Sequence, residues 1–159
     1  MPIFEFDYEE YFDDQSLSEL DYRLIMSARE ISNQAYAPYS NFRVGAAVMM
    51  QNLEIVSGVN IENASYPVGI CAERSALASA ISQFPLQKID AIAISYIAPL
   101  GDSNKPAFPC GMCRQFISEC EDRNGQSIIL FLTGQGGKIY KIKTAKNLLP
   151  FSFSGKDLK

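Results

Sequence analysis

The spacing of three cysteines constrains the fold of this chain more than any other sequence feature. Cys110 and Cys113 form a Cys-x-x-Cys pair directly after Pro109, and Cys71 lies far upstream of them. Three thiolates suit a tetrahedral zinc ion and leave its fourth position open to water or substrate, as in catalytic rather than structural sites. The fold must therefore bring two distant segments together, and we predict one open zinc site.

The absence of histidine narrows the chemistry that such a site can perform. The chain contains no histidine, which excludes Ser-His and Cys-His nucleophiles and every metal site that depends on imidazole. The remaining proton carriers are carboxylate, thiol, lysine and tyrosine side chains. Glu73 is the carboxylate linked most closely to the metal motif, since it follows Cys71 by two positions. We predict Glu73 as the catalytic proton carrier.

The hydrophobic pattern predicts a chain of alternating helices and strands. Helices are expected after a capping box at residues 16–19, from Cys71 to just before Pro85, and after Pro109. Strands are expected at residues 43–50, 53–58, 89–97, 128–132 and 138–142, with a hairpin between the first two. Helical crossovers place strands in parallel, so we predict an α/β fold, a three-layer α/β/α sandwich with a five-stranded mixed sheet.

All three cysteines fall in the first turn of a predicted helix. Free N–H groups and the positive end of the helix dipole lower thiol pKa values there, so the ligands can be deprotonated near neutral pH. Three thiolates around Zn²⁺ make an anionic cluster. Arg74 and Arg114, which follow the cysteines closely in sequence, are predicted to offset this charge from outside the ligand set.

Charge is unevenly distributed between the two ends of the chain. Residues 1–14 hold six acidic residues and no basic one, and residues 138–159 hold six lysines. We therefore expect an acidic and aromatic N-terminal arm at residues 1–15 and a single domain at residues 16–159. The arm is predicted to dock on the lysine-rich tail of the same or a neighbouring subunit, with a disordered arm as the alternative.

Composition also predicts where the protein works and what it binds. The sequence has no apolar run near the roughly 20 residues that cross a bilayer and no signal-peptide pattern, so we expect a cytoplasmic protein with reduced thiols and no membrane partner. It has no dense stripe of Lys and Arg with interleaved aromatic residues, which argues against nucleic acid as a partner. A small diffusible substrate is expected.

Around these motifs the sequence resembles the small cytidine deaminases whose zinc is bound by three cysteines. The resemblance includes Cys71-Ala72-Glu73 and Pro109-Cys110-Gly111-Met112-Cys113, and it extends to residues 37–47, 58–66 and 148–153. A Cys ligand, a Glu two residues later and a Pro-Cys-x-x-Cys pair are the signature of zinc deaminases. The resemblance implies one Zn²⁺ per chain and hydrolysis of cytidine and 2′-deoxycytidine to the uridines with release of ammonia, as in pyrimidine salvage.

The resemblance also implies roles for residues outside the metal motifs. Asn60 and Glu62 would hydrogen-bond the ribose 3′-hydroxyl, Phe42 would pack on the nucleoside, and the Ala72 N–H would bind the pyrimidine carbonyl. The family further implies a homotetramer with shared active sites, in which Phe153 of a neighbouring subunit stacks on the base and Tyr66 lies near another subunit's site. Phe108 departs from the Ser or Thr common at its position, which bears on the shape of the pocket.

Two other functions fit part of the pattern. A deaminase of a cytosine-containing antibiotic such as blasticidin S would share the cysteine ligands, although Asn60 and Glu62 argue for a nucleoside. A structural zinc module would need a fourth ligand, for which Cys120 is the remaining cysteine. Cys120 lies about 10 Å along a helix from Cys113, too far for Zn–S bonds of about 2.3 Å, and we predict that it belongs to the core.

Overall fold

The computed structural model describes residues 1–158 of the chain. Its helices and strands are β1 (Glu9–Tyr11), α1 (Glu19–Ile31), β2 (Arg43–Met50), β3 (Ile55–Val59), α2 (Ala72–Gln83), β4 (Ile89–Ile97), α3 (Gly111–Asn124), β5 (Ile129–Leu132) and β6 (Ile139–Ile142). The strands form one sheet in the order β1-β6-β5-β4-β2-β3. Strands β4 and β5 pair in parallel and the other neighbours pair antiparallel, which confirms a mixed sheet.

The helices cover both faces of the sheet, as predicted for a three-layer sandwich. Successive side chains of a strand point to opposite faces. One set of alternating residues, including Ala47, Ala93 and Phe131, packs under α1. The residues next to them in sequence, including Ala46, Ile94 and Leu132, pack under α2 and α3 in a second and larger cluster. The α/β/α arrangement is therefore confirmed.

The sheet has six strands, and the prediction of five was wrong. The additional strand, β1, lies in the predicted acidic arm and pairs antiparallel with β6 through Glu9–Lys141, Glu10–Tyr140 and Tyr11–Ile139. A strand of three residues is too short to show a period of two in the sequence, which explains why it was missed.

The arm docks on the lysine-rich tail of its own chain, which was one of the predicted arrangements. Glu10 forms an ion pair with Lys138, but both side chains are partly exposed to solvent. Such surface pairs contribute about 0–1 kcal/mol. The arm is also held by the backbone pairing of β1 and by the ring of Tyr8, whose centroid lies 4.8 Å from that of Tyr140. Charge alone therefore does not hold the arm in place.

Helix α1 begins two residues later than the predicted capping box. Its N-cap is Ser18, whose hydroxyl accepts a hydrogen bond from the Asp21 N–H at 3.1 Å. Ser16 ends a 3₁₀ turn instead, and Asp14 in that turn pairs with the buried Arg29 at 2.7 Å. The long-range contact with Arg29 fixes the path of the chain before the helix, and it has no signal in the local sequence.

Strand directions explain why the starts of α2 and α3 meet. Both β3 and β4 are antiparallel to β2, so they run in the same direction and end at the same edge of the sheet. Helix α2 follows β3 and helix α3 follows β4, and each therefore begins at that edge. Two helix N-termini that are distant in sequence become neighbours.

None of the helices within residues 1–158 combines the length and apolar composition needed to cross a membrane.

Gly58 sets the height of α2 above the sheet. A Cβ atom at this position would lie closer to the Ala76 backbone in α2 than van der Waals contact allows. We therefore expect Gly58→Ala to reduce the free energy of unfolding by about 2–3 kcal/mol, the cost of forcing packed elements apart. Urea unfolding followed by circular dichroism measures this change. Gly155→Ala is the control, because open space surrounds a Cβ there, and equal stability of the two variants would contradict the prediction.

Candidate active site

The three predicted thiol ligands lie together where α2 and α3 begin. Cys71 is the N-cap of α2, Cys110 is the N-cap of α3, and Cys113 lies in the first turn of α3. The Sγ atoms of Cys71 and Cys110 are 4.0 Å apart, and those of Cys110 and Cys113 are 3.6 Å apart. All three sulfur atoms fall within 4.8 Å of one another.

The geometry of this thiol cluster fits zinc. Tetrahedral coordination with Zn–S bonds of about 2.3 Å places two sulfur atoms about 3.8 Å apart, and the Sγ distances from Cys110 to Cys71 and to Cys113 lie on either side of this value. Within the described chain, the cluster contains three cysteines and no fourth His, Cys, Asp or Glu ligand. Its donor set therefore matches a zinc site with one position open.

Cys120 does not belong to the cluster. It lies in the larger core cluster against α2 and the sheet, which confirms its predicted place in the core. Burial raises the pKa of this thiol to about 11, so it stays protonated at neutral pH. The structural zinc module therefore lacks the fourth ligand that it requires.

The helix positions predicted a lowered pKa for all three thiols, but the pKa values of Cys71 and Cys113 shift in opposite directions. Hydrogen bonding with the Cys113 thiol, together with Cys110 and Arg74, lowers the pKa of Cys71 to about 5. The pKa of Cys113 is raised, because its proton is held in the hydrogen bond to Cys71 and the side chain is buried. One thiolate thus suppresses ionisation of its neighbour, and Cys113 would have to lose this proton in order to bind zinc.

Glu73 lies next to the thiol cluster in the first turn of α2. Its side chain is 5% exposed and contributes to the wall of a cavity. Burial raises the pKa of this carboxyl above its usual value. A carboxylate of raised pKa beside a zinc site has the properties required to accept and release a proton near neutral pH.

One cavity of about 830 Å³ joins these groups to most of the predicted binding residues. Its wall includes the predicted residues Phe42, Asn60, Glu62, Tyr66, Cys71, Ala72, Glu73, Arg74 and Cys110. This size is within the usual range for small-molecule sites. Cys113 is buried behind the wall, while Arg114 and Phe153 lie outside it.

Asn60 and Glu62 tie the cavity wall to the loop before β2. The Asn60 side chain accepts a hydrogen bond from the Val44 N–H at 2.7 Å and donates one to the Phe42 carbonyl at 2.9 Å. The Glu62 carboxylate accepts hydrogen bonds from the Tyr39 and Ser40 N–H groups. The Ser40 hydroxyl lowers the pKa of Glu62 most strongly, so this carboxylate is ionised at neutral pH.

The two arginines occupy different environments. Arg74 borders the cavity, donates to the Gly69 carbonyl at 3.2 Å and contributes to the low pKa of Cys71. Arg114 donates to the carbonyls of Pro109 and Leu148, at 2.8 and 2.9 Å. Arg114 thus binds the backbone on either side of α3 and fixes the segment that leads into Cys110.

Phe153 lies away from the cavity of its own chain. The residue is 59% exposed, and its carbonyl accepts a hydrogen bond from the Gln115 side chain at 2.8 Å. Tyr66 borders the cavity but is also largely exposed. Both rings are therefore accessible to another molecule.

Sequence reasoning missed Tyr96 as a cavity residue. Its ring stacks on Phe42 with centroids 5.2 Å apart and an interplanar angle of 17°. Tyr96 lies near the carboxyl end of β4, the strand that leads towards Cys110. A polar aromatic residue near the end of a mostly apolar strand is the one sequence signal that indicates this position.

The α/β/α fold and the thiol cluster beside Glu73 define a zinc-dependent hydrolase of the deaminase class. Comparison with known proteins specifies the family. The family described as "Cytidine and deoxycytidylate deaminase zinc-binding region" matches residues 18–127. The chain belongs to the cytidine deaminase family.

Individual relatives agree with this assignment. A cytidine deaminase from Halalkalibacterium halodurans is 39% identical over 135 residues, which cover 85% of this chain and 95% of the relative. A cytidine deaminase from Sporosarcina psychrophila is 41% identical over 137 residues, which cover 86% of this chain and 93% of the relative. The crystal structure of cytidine deaminase from Burkholderia pseudomallei superposes with a TM-score of 0.72 at 36% identity, covering 86% of this chain and all of the other.

Proposed function

We propose that this protein hydrolyses cytidine and 2′-deoxycytidine to uridine and 2′-deoxyuridine, with release of ammonia. The observation that carries the proposal is a cluster of three thiols, two of which line one cavity together with the buried Glu73, Asn60 and Glu62. We further propose that residues 16–159 form the deaminase domain, and that it acts in cytoplasmic pyrimidine salvage.

Glu73 is proposed to move every proton in the reaction. Zinc held by the three cysteines supplies the Lewis acidity that makes water nucleophilic near neutral pH. Glu73 takes a proton from the attacking water and transfers it to the ring nitrogen N3. It then carries the second water proton to the exocyclic amine, the C4–N bond breaks, and ammonia leaves. The raised pKa of Glu73 suits a group that acts first as base and then as acid.

The remaining cavity residues are proposed to hold the nucleoside in place. Ala72 is the first residue of α2, where a backbone N–H is free to bind the pyrimidine carbonyl. Phe42 would pack on the nucleoside, and Asn60 with Glu62 would bind the ribose 3′-hydroxyl. An ionised carboxylate keeps acceptor sites beyond the bonds that it already makes, so Glu62 can bind both its loop and a hydroxyl.

The arginines are proposed to act on the metal site from outside the ligand set. The positive charge of Arg74 would offset the negative charge of the thiol cluster, consistent with its contribution to the low pKa of Cys71. Arg114 would act by geometry, since its hydrogen bond to the Pro109 carbonyl restrains the residue before Cys110.

Purified protein loaded with zinc provides the direct test. The absorbance of cytidine should decrease as uridine and ammonia form, and 2′-deoxycytidine should react as well. Blasticidin S is the comparison substrate, because a blasticidin-S deaminase from Bacillus cereus is 31% identical over 141 residues. A higher kcat/KM for blasticidin S would favour the antibiotic deaminase. No turnover of either substrate by zinc-loaded protein would contradict both.

A homotetramer with shared sites is proposed from the exposed Phe153 and the apolar C-terminal segment around it. We expect Phe153→Ala to raise KM for cytidine by about tenfold, because one base–aromatic stack contributes about 1–3 kcal/mol. Steady-state kinetics measure this change. Phe151→Ala is the matched control, since Phe151 is fully exposed on the same segment.

Mixed oligomers would show whether Phe153 acts on a neighbouring subunit. Phe153→Ala and Glu73→Gln chains should be unfolded together without zinc, refolded with zinc and assayed. If Phe153 acts across an interface, sites with Glu73 and a neighbour's Phe153 would form and the low KM would return. Unchanged kinetics after mixing, or a monomer by light scattering, would contradict the shared site.

A further inference from the structure

A chain of aromatic contacts connects the N-terminal arm to the cavity. The ring centroids of Tyr8 and Tyr140 are 4.8 Å apart, and those of Tyr140 and Phe108 are 6.2 Å apart. Both pairs are tilted and lie in the range of favourable aromatic contacts. Phe108 in turn borders the cavity. The rings of Tyr140 and Phe108 therefore connect the arm to the cavity.

The three rings differ in how firmly they are held. Tyr140 is partly buried and packs on the core cluster beneath α2 and α3. Phe108 is 59% exposed and lies in the loop between β4 and α3. Among the aromatic contacts of the described residues, Phe108 has Tyr140 as its partner. Tyr8 covers Tyr140 from the arm. Tyr140 is thus the ring that connects the arm to Phe108.

Phe108 lies close in sequence to the reacting end of the cavity. It precedes Cys110 by two residues. The carbon that carries the exocyclic amine must be next to the thiol cluster and Glu73 during hydrolysis, so the amine edge of the base points towards the segment that contains Phe108. A bulky ring there restricts the space for a substituent on the amine.

We propose that Tyr8, acting through Tyr140, is a positioning residue that holds Phe108 in the cavity wall and so limits the size of the amine that a cytosine nucleoside can carry. The inference rests on the proposed deaminase function and names its substrate range. The matched family region begins at residue 18, so Tyr8 adds to the site from outside that region.

N4-methylcytidine is the probe for this limit. Water adds at C4, the bond from C4 to nitrogen breaks, and the products are uridine and methylamine in place of ammonia. The quantity to measure is kcat/KM for N4-methylcytidine divided by kcat/KM for cytidine. A loss of global stability lowers both values and leaves their ratio unchanged, so the ratio reports the shape of the site.

Four variants should separate the contact from other effects of the arm. Phe108→Ala should raise the ratio about tenfold or more, the discrimination that one methylene group typically gives. Tyr8→Ala should raise it about two- to tenfold, corresponding to loss of one aromatic pair. Tyr8→Phe keeps the ring and should match the native protein. Phe4→Ala is the control, because it removes an aromatic contact within the arm, that of Phe4 with Phe6. This variant should keep the native ratio.

The double variant Tyr8→Ala/Phe108→Ala tests the path between the two residues. Its ratio should equal that of Phe108→Ala alone, because Tyr8 has no ring left to position. A full additional effect of Tyr8→Ala in that background would overturn the proposal, as would a native ratio in either single variant. If Tyr8→Ala fails to fold, Tyr8→Leu replaces it. Failure of the native protein to deaminate cytidine would refute the proposed function instead.

Discussion

Glu73→Gln should reduce kcat for cytidine by about 10⁴-fold, the upper range for loss of a general acid–base group. Glutamine has nearly the same shape as glutamate and fits the same buried position in α2, where Glu73 is 5% exposed. It cannot accept a proton from water, so neither the attack nor the departure of the amine is assisted. KM should change much less than kcat, because the amide still fills the cavity wall.

The control measurements separate loss of chemistry from loss of structure. Zinc content, measured by atomic absorption, should remain one ion per chain in Glu73→Gln, because Glu73 is not a member of the thiol cluster. Glu119→Gln removes an exposed carboxylate from α3 and should retain native kinetics. Activity of Glu73→Gln within tenfold of the native protein would contradict the assigned role.

Cys113→Ser should abolish zinc binding and reduce activity to a level similar to that of Glu73→Gln, about 10⁴-fold below native. Cys113 is a fully buried member of the thiol cluster, and a hydroxyl is a poor zinc ligand in place of a thiolate. Two ligands at the start of separate helices remain, which is too few for a stable site. Removal of the metal also removes its contribution to folding stability.

Cys120→Ser is the matched control for this change. Cys120 is buried like Cys113 and lies on the same helix, but it packs in the core away from the cluster. This variant should keep one zinc per chain and native kinetics, with a small decrease in melting temperature from burying a hydroxyl. Zinc loss in Cys120→Ser, or retained zinc in Cys113→Ser, would contradict the ligand assignment.

The helix starts that carry the metal site were predictable because their signals are local. A cysteine before an apolar pattern of helical spacing, with Pro85 as the stop, fixes α2 within a residue. Pro109 marks the start of α3 in the same way. Such signals depend on backbone properties of single residues, so a single sequence contains them.

The contacts that shape the cavity depend on distant residues and were not predictable. Tyr96 stacks on Phe42 because β2 and β4 are neighbours in the sheet, which no local pattern specifies. Glu121 is another case, since it looks like a surface acid of α3. Its buried carboxylate instead accepts hydrogen bonds from the Ile128 and Ala145 N–H groups, joining α3 to both segments that follow it.

The short strand β1 has a further consequence for how the protein behaves at high concentration. Without it, β6 would form the outer edge of the sheet and would present its free backbone groups beside the buried Ile139 and Ile142. Open edges of this kind recruit strands from other molecules. Strand β1 covers that edge with three residues, two of which are the acidic Glu9 and Glu10. A short edge strand with charged side chains disfavours pairing with strands of other molecules.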